Sequence, residues 1–130
     1  MRTQPSKFKG RGSFNYPALV ALLFFGTYDI SHAGSATWKL NPENGDWNSA
    51  SNWMPATVPN GAGDEASLGA SSGAAISIDT DIEVSALTFK PGASAYTLSI
   101  VSGGADTLFV LSGAGITNDS DTMQNLVAVA

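Results

Sequence analysis

Few side chains in this sequence are equipped for chemistry. The 130 residues include one histidine, no cysteine, eleven acids and six bases, with a formal charge of −5. The best candidates are carboxylates. Asp79, Asp81 and Glu83 alternate along residues 74–85, which on an extended strand sets successive acids about 6.5–7 Å apart. Oxygen ligands of that kind suit calcium, and two acids at such a distance suit hydrolysis of a glycosidic bond. Neither chemistry is completed by its surroundings. No glycine-spaced calcium loop follows, and Asp119 and Asp121 share a separate polar stretch. The plainer reading is a solvated acidic face that keeps an exposed strand from pairing with other chains. The single histidine, His32, lies in a segment read below as a cleavage site. Without it no Ser-His-Asp or Cys-His arrangement can form, and the usual zinc ligands are missing. No phosphate-binding loop is present either. The expectation is a chain that is not an enzyme, with no catalytic residue, cofactor or metal site.

The other residues that stand out are Trp38, Trp47 and Trp53, the only tryptophans, all within sixteen positions. Their rings have two uses. They can stack on the apolar faces of sugars, as a carbohydrate contact, or they can close the open end of a β core by burying large apolar area. Packing is the commoner use in a small domain.

Charge along the chain separates a head from a body. Arg2, Lys7, Lys9 and Arg11 precede an apolar run at 18–25 (ALVALLFF), then Ser31-His32-Ala33. Basic region, short apolar region and small-x-small triplet are the parts of a secretory signal peptide. The run is far shorter than the roughly 20 residues that span a bilayer. Residues 1–33 are therefore expected to be a leader, cleaved after Ala33, on a secreted or cell-surface protein with no transmembrane span in its mature chain. From Gly34 onward ten acids face two lysines, Lys39 and Lys90. Such a body is a poor partner for nucleic acid or an anionic membrane.

The elements that must position these residues read as short strands. Ile76, Ile78, Ile82 and Val84 share one parity and polar residues the other, the period of a strand with one buried face. Leu87 and Phe89 are apolar on the opposite parity, so a bend or bulge is expected near Ser85-Ala86. Lys90-Pro91-Gly92 ends that strand. Tyr96, Leu98 and Ile100 alternate again. Residues 107–111 are apolar on both parities, as in a strand covered on both faces. The glycines at 112–115 suggest a turn, residues 118–121 a loop, and 126–129 a last strand. Asn-Gly pairs at 44–45 and 60–61 are turn signals. No helical periodicity appears beyond the leader. The fold expected is all-β: a parallel β-solenoid with an aromatic N-terminal cap at 34–73 and a truncated strand-repeat segment at 74–130, with a β-sandwich as the second architecture.

One resemblance is carried by residues in a fixed order. Trp38, Gly45-Asp46-Trp47-Asn48, Asn52-Trp53, Val58-Pro59, Gly63-Asp64 and Ala66-Ser67-Leu68 resemble the start of secreted bacterial proteins with autotransporter-associated β-strand repeats. Ser85-Ala86-Leu87-Thr88-Phe89, Tyr96-Thr97-Leu98 and residues 107–118 resemble their following strands and repeat unit. The resemblance implies a solenoid passenger, structural and exported, working in adhesion or extracellular matrix against a polysaccharide or another cell-surface partner. It implies no enzyme. The runner-up is a carbohydrate-binding module using Trp38, Trp47 and Trp53.

Overall fold

The structure is a computed structural model that describes residues 34–102 and 106–129. The leader and its cleavage after Ala33 lie outside the described residues. Eight strands are present among them: β1 (Ala36–Trp38), β2 (Trp53–Met54), β3 (Gly61–Leu68), β4 (Ala75–Ile78), β5 (Ile82–Phe89), β6 (Thr97–Val101), β7 (Phe109–Asn118) and β8 (Asn125–Val129). One 3-10 turn, Ala50–Asn52, precedes β2. The described chain is all-β.

From β3 onward, successive strands alternate between two sheets. One runs in the order β2-β1-β3-β5-β7 and the other β4-β6-β8. Every pairing between these strands is parallel except β1 with β2, which is antiparallel. A β-sandwich of hairpin-linked antiparallel strands is therefore not what forms. The cause is local: from β3 onward each strand is followed in sequence by a strand of the other sheet, not by one that doubles back beside it.

Alternation along each strand decides what is buried. Ile76 and Ile78 of β4, Ile82 and Val84 of β5, and Leu98 of β6 point between the sheets, and together with Ala36, Ala66, Leu68, Leu87, Phe89, Ala93, Tyr96 and the three tryptophans they form one core. The residues expected to make a single strand at 74–85 instead make two. Asp79, Thr80 and Asp81 form a corner between β4 and β5. The apolar parity survives the corner, so the alternation continues through a change of sheet.

The irregularity expected near Ser85 is present. The register shifts between Val84 and Ala86 on both flanks of β5, and Ala86 and Leu87 are both buried. The additional residues belong to the neighbours. Opposite the two-residue step from Val84 to Ala86, β3 advances from Gly61 to Glu65 and β7 from Leu111 to Gly115. The Ser85 hydroxyl donates to the Asp64 carbonyl at 3.0 Å, binding the widened stretch of β3 to β5. The glycines at 112–115 therefore lie inside β7, not in a turn. Gly115 has φ of +79°, a conformation that a side chain would strain.

The corners stack as the strands do. At one corner, the Ser71 N–H donates to the Ser94 hydroxyl, and that hydroxyl donates back to the Ser71 carbonyl, both at 3.0 Å. In the next layer Gln124 donates to the Ser94 carbonyl at 3.1 Å and accepts from the Tyr96 N–H at 2.7 Å. The buried Tyr96 phenol donates to the Gly69 carbonyl at 2.8 Å. These bonds satisfy backbone groups where the chain leaves one sheet and cannot reach a ladder partner.

Residues 107–111, expected to be covered on both faces, are not. Leu108 is 55% exposed and Val110 42%. They belong to the last layer of strands, and no further strand among the described residues lies on it.

Candidate functional site

The three tryptophans do come together, as the clustering in sequence implied, and all three are buried. Trp38 is 2% exposed, and Trp47 and Trp53 are 0%. Trp53 is central. Its ring meets Trp38 edge-on at 5.0 Å and Trp47 at 4.8 Å. Trp47 also meets Phe109 of β7 at 5.5 Å. Edge-to-face pairs at these distances are the favoured aromatic geometry.

Each indole N–H is satisfied by a backbone carbonyl. Trp38 donates to Gly73 at 2.9 Å, Trp47 to Pro59 at 3.1 Å and Trp53 to Trp47 at 2.8 Å. A ring that stacks on a sugar must present a face to solvent. These rings present their faces and edges to one another and to the core, so the stacking platform considered for Trp38, Trp47 and Trp53 is absent from the folded chain.

What the sequence did not disclose is the residue that holds the loop above the rings. Among the described residues Asn52 is the one buried side chain that is neither apolar nor aromatic, at 0% exposure. Its Oδ1 accepts from the N–H groups of Glu43 and Asn44 at 2.9 and 3.2 Å, and its Nδ2 donates to Asn44 Oδ1 at 2.7 Å and to the Asp46 carbonyl at 2.8 Å. Two donated and two accepted bonds use the full capacity of an amide side chain. The available signal was its place immediately before Trp53. The loop held in this way lies against β4: Trp47 N–H donates to the Ser77 carbonyl and Ser77 N–H to the Gly45 carbonyl, at 3.0 and 2.7 Å. Gly45 is required there, since a Cβ would come within 2.5 Å of the Ala75 carbonyl oxygen.

The carboxylates are dispersed among structural tasks. Asp46 Oδ1 accepts from the Asn48 N–H at 2.8 Å, and the Asn48 amide donates to Asp79 Oδ1 at 3.0 Å. Asp81 Oδ1 accepts from the Leu108 N–H at 2.9 Å, tying one corner to the layer beyond it. Asp79 and Asp81 thus sit in a corner, and only Glu83 is in a strand, so the single acidic strand face expected for the three does not form. Among the described residues no group of three or more His, Cys, Asp or Glu side chains is placed to hold a metal ion, and no helix is long and apolar enough to cross a membrane.

The other ionisable group with a distinctive setting is Tyr96. Burial pushes its phenol above the ordinary value, opposed by a smaller effect of the Ser71 hydroxyl. Its role is to hold the Gly69 carbonyl and to pack against Phe89, 6.0 Å away between ring centres.

With this geometry in view, the chain was compared with protein-family models, with characterised proteins and with solved structures. It matches none of them.

Proposed function

We propose that this chain is a structural passenger segment of an exported β-solenoid, of the autotransporter-associated β-strand repeat kind, acting in adhesion or matrix at the cell surface. The observation that carries the reading is the layered parallel register. Ile76 pairs with Leu98 and Leu98 with Leu126. Thr37 pairs with Ser67, Ser67 with Thr88 and Thr88 with Thr117. Apolar residues stack on apolar residues inside, and hydroxyls on hydroxyls outside. Coils that stack on their neighbours are how a solenoid builds a core.

The resemblance read from the sequence rests on residues with a definite place in the fold. The Gly45-Asp46-Trp47-Asn48 and Asn52-Trp53 motifs are the residues that build the first layer. In this reading the tryptophans close the core at its N-terminal end, and the function is extension and display of a surface. Side chains that would otherwise be catalytic candidates serve as loop ties.

Export is tested by expressing the 130-residue chain in a bacterial host and sequencing the N-terminus of the product outside the cytoplasm. A product starting at Gly34 is expected. Retention of the whole chain in the cytoplasm would remove the passenger reading. Against a panel of polysaccharides, Trp fluorescence is expected to stay unchanged at saturating ligand, because the indoles are inaccessible. Saturable quenching lost in Trp47→Ala, with the fold retained, would restore the carbohydrate-binding module.

A further inference from the structure

We propose that the outer face of the five-stranded sheet binds an uncharged, extended polysaccharide along a column of hydroxyls: Thr37, Ser67, Thr88 and Thr117. This names the partner of the displayed surface and so rests on the passenger reading above. The four residues are in register, Thr37 with Ser67, Ser67 with Thr88 and Thr88 with Thr117. Their hydroxyls therefore recur at one strand spacing, about 4.8 Å. Sugar residues of an extended β-linked chain recur at nearly the same distance, so a chain laid across the strands meets one hydroxyl per sugar. The fold does not use these hydroxyls. Those of Ser71, Ser85, Ser94, Ser112 and Thr122 all donate to backbone carbonyls. Thr37, Ser67, Thr88 and Thr117 have no side-chain hydrogen bond among the described residues, and the first three are half-buried.

The column lies in a channel. The Ser112 hydroxyl of β7 donates to the Ala62 carbonyl of β3 at 3.3 Å, reaching across β5. The core fills the inner side of the sheet, so this bridge stands as a rib on the outer face, where Ala62, Gly63, Ser112 and Gly113 are exposed. Between rib and column run Glu65, Ala86 and Gly115, also paired in register, and the two small residues leave depth. At the β1 end, Ser35, Thr37, Glu65 and Ser67 line a recess of about 220 Å³ with Met54 and Pro55. That is below the roughly 300–1,000 Å³ of pockets for drug-sized ligands and suits a single sugar ring. Met54, 64% exposed, offers an apolar contact for the C–H face of that ring, and the hydroxyls and Glu65 meet its O–H groups.

Charge selects an uncharged occupant. Residues 34–130 carry ten acids and two lysines, so the body as a whole repels an anionic polymer. Both lysines border the column. The N–H of Lys39 donates to the Asn52 carbonyl and that of Lys90 to the Leu68 carbonyl, at 2.9 and 2.8 Å, which carries the sheet pairing one residue past β1 and β5. Lys39 and Lys90 stand two positions beyond Thr37 and Thr88, on the same face by the period of a strand. Glu65 borders the column on the opposite side. Neither lysine has an ion pair among the described residues. A neutral sugar suits this arrangement, because its hydroxyls accept from lysine and donate to the carboxylate.

The test is isothermal titration calorimetry of the 130-residue chain with cellohexaose, a neutral β-linked oligosaccharide, and with an alginate oligosaccharide of equal length as its anionic counterpart. Saturable heat is expected from cellohexaose and none from alginate. Ser67→Ala/Thr88→Val removes two hydroxyls that hold nothing in the fold, so a native circular dichroism spectrum is expected, with the dissociation constant raised about tenfold by the loss of two hydrogen bonds to the ligand. Thr37→Val gives a second route should the double variant unfold, with a smaller rise expected. Ser99→Ala, on the other sheet, is expected to bind as the parent does. No heat from cellohexaose at millimolar concentration, tighter binding of alginate, or unchanged affinity in a folded column variant would overturn the proposal. An exported chain starting at Gly34 that gives no heat would end the glycan proposal and spare the passenger reading, while a chain that binds cellohexaose but stays in the cytoplasm would do the reverse.

Discussion

The first and last layers of this molecule are built from similar alternating strands and end in opposite states. At the first, Trp38, Trp47 and Trp53 are sealed from water, a buried asparagine ties the loop above them, and a short antiparallel strand covers the sheet edge. At the last, Ile116, Leu126 and the outward Val110, Val127 and Val129 are each 40% exposed or more. The difference teaches that alternation specifies which way a side chain points, while burial needs a neighbouring layer to point against.

The contrast can be broken most forcefully at the tryptophans. Trp47→Ala removes a ring with two aromatic neighbours from a fully enclosed site, and a loss of about 3–5 kcal/mol in urea unfolding is expected. Asn52→Ala comes next. It strands the N–H groups of Glu43 and Asn44 and the Asp46 carbonyl, and about 2–3 kcal/mol should be lost. Asn52→Asp should recover only part of this, because a carboxylate cannot donate to the Asp46 carbonyl or to Asn44.

Tyr96 sharpens the comparison from the middle of the stack. Its phenol titrates above its unfolded value of about 10, so folding favours the protonated form. Its contribution is complete below that value and falls as pH rises through the folded-state value. The thermal midpoint is expected to drop on the alkaline side of pH 10, with a shallower drop in Tyr96→Phe. At the far end, Leu126→Ala should cost less than about 1 kcal/mol, as a half-exposed side chain has little burial to lose. An equal loss at Leu126 and Trp47 would abolish the distinction between the two ends.

Much of the strand pattern was legible in the sequence, for identifiable reasons. Parity exposed the irregularity at Ser85-Ala86, since Leu87 and Phe89 would otherwise have faced water. Parity also concealed the corner at residues 79–81, because Ile78 and Ile82 point inward on either side of it. Glycine at 112–115 was ambiguous: a turn and a strand irregularity both call for its conformational freedom, and only the opposing step in β5 distinguishes them. The tryptophans' shared location could be read from their clustering, but their lack of an open face could not, because it depends on Pro59, Gly73 and Phe109. Asn52 was hidden for a similar reason. Its four bonds reach back to residues 43–46, and which loop an amide meets is a property of the folded chain.

The unequal spacing of paired strands has a wider consequence. Ala66 pairs with Leu87, 21 residues on, while Leu87 pairs with Ile116, 29 residues on. Each step nevertheless adds one strand spacing, about 4.8 Å. The molecule repeats in distance and not in residue count, and part of the surplus lies within β7, which advances four positions where β5 advances two. A chain built this way can diverge in length and letter while its columns persist, so kinship to it is better sought in what lies above what than in any fixed interval along the sequence.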